Sequence, residues 1–376
     1  MKEDIIRTFF ALVSAGLWEG VPRLLPFGKV DYEKVMRLAE EQSVVGLVTA
    51  GLEHVEDVKV PQKDLLQFIG QSLQLEQQNA EMNKFIAKLV EKMRNIGVYT
   101  LLLKGQGVAQ SYERPLWRAC GDVDLFLNED NYNRAKEVLV PLASSVESEY
   151  GEEKHLGMTI DGWVVELHGS LRVGLSKRIN RVLDDIRNDI FVGGNVRFWN
   201  NDGIQVHLLG KENDVVYVFV HFLNHFYKGG IGLRQICDWC RLLWTFRDSL
   251  DYSHIESRIR RMGLMSEWRT FGAFAVDYLG MPVEAIPILN DNHNDNANLK
   301  RKAERIKDFI LMSGNFGHNR DMSYFSKYPY LIRKCCSMWM RVRDLMNHAM
   351  IFPLDSLRFF PRIMFNGLRS AVRGEG

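Results

Sequence analysis

Cysteine is scarce in this chain of 376 residues: the five present, Cys120, Cys237, Cys240, Cys335 and Cys336, are odd in number and too few for a disulfide-stapled fold. A reducing cytoplasm fits that count best. Cys237 and Cys240 have the spacing of a redox or zinc pair, but no second pair or neighbouring histidine pair completes four ligands, so core cysteines are expected. Proline is also sparse, and ten prolines with 30 glycines exclude a collagen-like or low-complexity chain. Missing too is any apolar run near the ~18 residues that span a bilayer. The apolar stretch 9–18 follows Glu3 and Asp4 rather than a basic segment, and no small-residue cleavage site comes after it, so it reads as an amphipathic first helix. Last, the chain lacks net charge. Lys plus Arg at 48 against Asp plus Glu at 47 leaves +1, so no global field recruits a polyanion, and an anionic ligand must be held by a local cluster.

What is there is an ordinary globular composition, 46% hydrophobic and 25% charged, long enough for two domains or one elaborated unit. Residues 1–95 read as helices. Ile6, Phe9, Phe10, Val13 and Leu17 recur at helical spacing, residues 32–50 repeat the pattern behind Asp31 as a cap, and 64–94 form a long amphipathic helix after Pro61. At 97 the texture changes. Residues 97–103 are a continuous apolar run, as in a strand covered on both faces, ending at Lys104-Gly105. A helical stretch 106–112, an alternating strand 121–127 and a helix 131–139 with Asp130 as its cap follow. Strands at 159–160 and 163–168 flank Asp161-Gly162, a strong hairpin-turn signal. From about 215 the pattern is helical to the C-terminus, broken at Gly229-Gly230 and in the Asn/Asp-rich stretch 290–298. The expected organisation is a helical region 1–95, an α+β core 96–200 and a helical region 201–376.

Chemistry concentrates in the core. Asp122 and Asp124 project from one face of a strand, roughly 6.6–7 Å apart at the backbone, so their carboxylates converge. Close carboxylates repel unless a cation sits between them, and an all-oxygen donor set suits magnesium. Glu166, a charge embedded in an apolar strand, is placed to complete a clamp for two ions about 3.5–4 Å apart. His168 shares the face of Glu166, which suits either a supporting or acceptor-side role or a buried hydrogen-bonded histidine.

The ordered set Lys104-Gly105, Arg118, Gly121-Asp122-Val123-Asp124-Leu125 and Val165-Glu166-Leu167-His168 resembles the polymerase-beta-like nucleotidyltransferase superfamily. It is most similar to a branch of uncharacterised bacterial nucleotidyltransferases with K-G, R-x-x-x-D-x-D-L and V-E-L-H motifs, over about residues 30–245. The resemblance implies an α+β nucleotidyltransferase fold, a small mixed sheet with flanking helices. It also implies two Mg2+ (or Mn2+) ions, a nucleoside triphosphate, and transfer of a nucleoside monophosphate with release of pyrophosphate. The acceptor is open: small molecule, protein or RNA. Carried over by position, Asp122 and Asp124 bind both metals and Glu166 completes the site. The superfamily's Gly-Ser is replaced by Lys104-Gly105-Gln106, so Lys104 and the Gly105 backbone are expected to meet phosphate, with Arg118 neutralising it from the other side. His225, Arg234 and Asp238 are nucleotide- or acceptor-side candidates by resemblance, while Arg234 and Asp238 at i, i+4 read equally as a helix ion pair. His221 and His225, also at i, i+4, lack a third zinc ligand and are expected to be packed or substrate-facing. Residues 320–373 carry ten basic against three acidic side chains, a net +7 interleaved with aromatics. Solvated helical faces explain this segment more simply than a nucleic-acid or membrane patch. The alternative function is a catalytically inactive nucleotide- or partner-binding protein on the same fold, a toxin–antitoxin or peptide-modification component.

Overall fold

The computed structural model describes residues 3–149, 154–289, 296–314 and 342–372, without the side chains of 366–372. Four helices lead: α1 (Glu3–Trp18), α2 (Tyr32–Glu41), α3 (Val45–Glu53) and α4 (Gln62–Asn95). The stretch 32–50, which reads as one helix, is two, because Ser43 turns into the left-handed region at φ 56. Asp31 caps α2 as its position suggests, its carboxylate accepting from the Lys34 backbone at 3.2 Å. Helices α1 and α3 cross with backbones in near contact: a Cβ on Gly51 would stand 2.1 Å from the Leu12 carbonyl oxygen, and one on Gly16 1.9 Å from that of Leu47. Only glycine permits this approach.

The α/β unit runs β1 (Leu101–Leu103), α5 (Gly105–Ala109), β2 (Asp122–Phe126), α6 (Glu129–Leu139), β3 (Ser145–Val146), β4 (His155–Ile160), β5 (Trp163–His168), α7 (Lys177–Phe191), β6 (Val196–Asn201) and β7 (Ile204–Leu209). Asn128, not Asp130, caps α6, since its side chain accepts from the Asn131 backbone. Asp161 and Gly162 both take positive φ in the β4–β5 turn, as that dipeptide requires. Asp202-Gly203 does the same between β6 and β7, a hairpin additional to the strands expected from the sequence. Among the described residues the sheet is seven-stranded and mixed, in the order β3-β4-β5-β2-β1-β7-β6. Strand β2 pairs antiparallel with β1 and parallel with β5, and β1 pairs parallel with β7.

Helices α8 (Lys211–Lys228), α9 (Leu233–Phe246), α10 (Tyr252–Met262), α11 (Met265–Leu279), α12 (Ala297–Ser313) and α13 (Pro353–Val372) follow. The sheet divides two apolar cores. Leu102, Val123, Leu125, Val165 and Leu167 pack against α4 and α6 on one face, while Leu101, Leu103 and Phe126 face the larger helical core on the other. This two-sided burial is why β1 is unbroken leucine. Cys237 and Cys240 are fully buried free thiols in the helical core, as expected, whereas Cys335 and Cys336, with residues 320–341 and 373 of the basic stretch, lie outside the described residues. No helix among the described residues is long and apolar enough to cross a membrane.

Candidate active site

Strand register builds the site. Asp124 stands opposite Leu103 on β1 and beside Glu166 on β5, and His168 follows two residues on, opposite His155 of β4. Alternation puts Asp122, Asp124, Glu166 and His168 on the same face as Phe126, beneath α8 and α9. One carboxylate oxygen from each of Asp122, Asp124 and Glu166 lies within 4.8 Å of the other two. The adjoining cleft is walled by Lys104, Gly105 and Val108 at the end of β1, by Asp122 and Asp124, by Val218, His221 and Phe222 of α8, and by Arg118, Arg234, Gln235 and Asp238.

Lys104 is held in an uncommon backbone conformation, φ 47 and ψ −141, with Gly105 also at positive φ. Such strain persists only where surrounding contacts over-determine it, and it clusters at functional sites. Here the contacts are its ammonium, 3.0 Å from Asp124 and 3.1 Å from Nε2 of His221. Burial pushes Lys104 down, but the charges around it, Asp124 first and then Tyr217, Asp122 and Glu166, together outweigh that and hold the amine protonated above its usual range. The Asp124 charge, then burial, push the Asp122 carboxyl up, a sign of anionic crowding. Glu166 goes the other way: burial opposes ionisation, yet hydrogen bonds from His155 at 2.9 Å and His168 at 3.4 Å, with the Lys104 charge, keep it well below the carboxylate range. Nε2 of His168 is 2.7 Å from Asp124 and, despite burial, these carboxylates raise its pKa. Across the cleft, burial and then the Lys104 charge lower His221 strongly and bring His225 to about 4, so both imidazoles are neutral at pH 7.

The remaining candidates divide. Arg118 is locked by a bidentate pair to Asp238, at 3.0 and 2.6 Å, and the Tyr112 hydroxyl donates to the same carboxylate at 2.8 Å. Asp238 therefore pairs with Arg118 rather than with Arg234 one turn away. Arg234 donates from Nη1 to the Ala119 carbonyl at 2.6 Å, and its buried Nε has no hydrogen-bond partner among the described residues, so Arg234 carries a spare donor on this wall. His225 sits 3.3 Å behind His221. One residue is additional to the expected set, His155, while His221, expected with His225 to be packed or substrate-facing, lines the cleft. Counting back from the two-residue turn at Asp161-Gly162 places His155 opposite His168, a signal present in the sequence.

The model of a family described as uncharacterised nucleotidyltransferase matches residues 28–280, from just before α2 to the end of α11. The chain belongs to that family. Every residue of the cleft lies inside the matched span. Among solved structures, it is similar to an antigenic nucleotidyltransferase-like protein from Paracoccidioides brasiliensis, at 14% identity over 54% of this chain and 94% of that one. The TM-score is 0.33, too loose an overlap to carry an inference. No curated protein matches the chain.

Proposed function

We propose that this nucleotidyltransferase is a metal-dependent enzyme that moves a nucleoside monophosphate from a nucleoside triphosphate to an acceptor hydroxyl and releases pyrophosphate. The observation that carries the reading is the convergence of Asp122, Asp124 and Glu166 within 4.8 Å beside a cleft with cationic walls. Their donor set is all oxygen, and the like-charge crowding on Asp122 is the strain that a hard divalent cation, Mg2+ or Mn2+, relieves. When bound, such cations supply the positive charge that draws the reacting phosphate and acceptor oxygens together. The chain's own residues do the rest. Lys104 brings a permanently protonated ammonium to the triphosphate, aided by the Gly105 backbone, and Arg234 offers its spare Nε–H. Arg118 acts through Asp238, fixing the wall from which Arg234 projects. His155 and His168 hold the Glu166 and Asp124 carboxylates in one orientation, and neutral His225 backs His221 on the acceptor side. The strands of this unit run from Leu101 to Leu209, with helical regions before and after it.

One observation favours the alternative, a binding protein without turnover: Lys104 and His168 already compensate the Asp124 charge. The test is incubation with each α-labelled nucleoside triphosphate, Mg2+ or Mn2+ and a cell extract. Label transfer is expected from wild type and absent from the Asp122→Asn, Asp124→Asn double variant; full transfer by that variant refutes the site. Nucleotide binding without pyrophosphate release in any mixture supports the binding protein.

A further inference from the structure

The carboxylate cluster has a second side. Glu166 Oε2 lies 2.9 Å from Nε2 of His155 and 3.4 Å from Nε2 of His168, and these three atoms all lie within 4.8 Å of one another. Nε2 of His155 is hydrogen-bonded to Glu166, whereas Nε2 of His168 lies between Glu166 and Asp124, 2.7 Å from the latter. Two imidazole nitrogens and the Glu166 oxygen therefore crowd one small volume rather than each merely orienting its own partner. The strand pairing enforces this: His155 and His168 are directly opposite across β4 and β5, and their rings face one another with centroids 4.7 Å apart at 39°. The side chains of His155, His168 and Glu166 are 23%, 13% and 26% exposed, shielded but not sealed. Donor atoms bound at the ~2.0–2.1 Å typical of zinc in a tetrahedral set stand about 3.3–3.4 Å apart, which the His168–Glu166 separation already meets and the His155–Glu166 separation misses by a few tenths of an ångström.

We infer that His155, Glu166 and His168 form a binding site for a borderline divalent transition ion, of the Zn2+ or Co2+ class, distinct from the all-oxygen position at Asp122 and Asp124 and joined to it through Glu166. Neutral imidazole nitrogen prefers such ions over Mg2+, whereas the aspartates prefer the hard ion. Glu166 is then a carboxylate shared by two unlike ions, and the acceptor side of the cleft is selective for a different metal from the triphosphate side. That last consequence rests on the nucleotidyltransfer reading; the site itself does not.

The experiment uses the untagged full chain, stripped of metal and held in excess Mg2+ to occupy the oxygen position. It is titrated with Co2+ by visible absorption and with Zn2+ by calorimetry, without nucleotide. One equivalent is expected to bind. His155→Asn and His168→Asn should each weaken uptake at least tenfold, and Asp122→Asn should change it less than threefold. Circular dichroism and the midpoint of urea unfolding identify a variant that has lost its fold, and His155, the more exposed of the two histidines, then decides alone. No uptake by wild type, uptake indifferent to both histidine variants, or uptake lost in Asp122→Asn with the histidine variants unaffected overturns the inference. Histidine-dependent uptake in a chain that never transfers label leaves this site standing and removes the catalytic reading; transfer in Mg2+ by a chain that binds no Co2+ does the reverse.

Discussion

Glu267 of α11 is fully buried and outside the cleft lining, and its titration gives a prediction with a worked size. Its Oε1 accepts from the Tyr227 hydroxyl at 3.0 Å, and Asp355 in the first turn of α13 adds a like charge and a side-chain hydrogen bond to the same carboxyl. Burial, then Asp355, pushes the Glu267 carboxyl from 4.5 up to about 8, so the folded protein holds it neutral at pH 7. A group whose folded pKa is raised contributes stability that is full below the unfolded pKa and is lost as pH rises through the folded one. The window is therefore about pH 4.5 to 8. At 1.36 kcal/mol per pKa unit, that gap corresponds to roughly 5 kcal/mol as an upper bound. Glu267→Gln keeps an acceptor for Tyr227 and cannot ionise. The variant should match wild type near pH 5 and exceed it by a few kcal/mol at pH 9, as read by urea unfolding across that range. A variant-minus-wild-type difference that is flat with pH, or that grows toward acid, refutes the reasoning.

Three further perturbations test the packing of the fold and of the cleft wall. Gly51→Ala drives a methyl group to 2.1 Å from a backbone oxygen of α1 and should destabilise by about 1–3 kcal/mol in urea. The exposed Gly70→Ala, in open space on α4, should stabilise by roughly 0.5–1 kcal/mol. Arg118→Met or Asp238→Leu alone strands a buried charge and should cost about 3–5 kcal/mol, while the double variant recovers most of that loss; equal effects of the single and double variants would show that the pair is not the source.

Much of the site was legible because its signals are local. Leu101 to Leu103 can be unbroken leucine only if both faces are covered, and Glu166 stands out as a charge in an apolar strand. The Asp161-Gly162 turn sets a register that brings His155 to His168, although no residue near His155 marks it as functional. Arg118 is the opposite case. Its partner Asp238 is 120 positions away, and i, i+4 spacing points to Arg234 instead, so only the folded chain shows which arginine is locked and which has a spare donor. The β6–β7 hairpin carries the same Asp-Gly turn as β4–β5, but its strands pair away from the motif-bearing residues, and their mixed burial blurs the alternation. The cap at Asn128 rather than Asp130 shows how a run of three polar residues leaves a helix start open by two positions.

The parallel pairing of β2 with β5 also sets when the site comes into being. Asp124 meets His168 across 44 positions and Lys104 meets His221 across 117, so no short segment of the nascent chain contains the cluster. Parallel strands need a long crossover, and the entropy of closing it is spent before the contact returns anything. The main repulsion on Asp122 comes from Asp124, two residues along the same strand, whereas Glu166, His168 and the Lys104–His221 contact are added only by pairings distant in sequence. The reactive geometry is thus a property of the assembled sheet and α8 rather than of any local element.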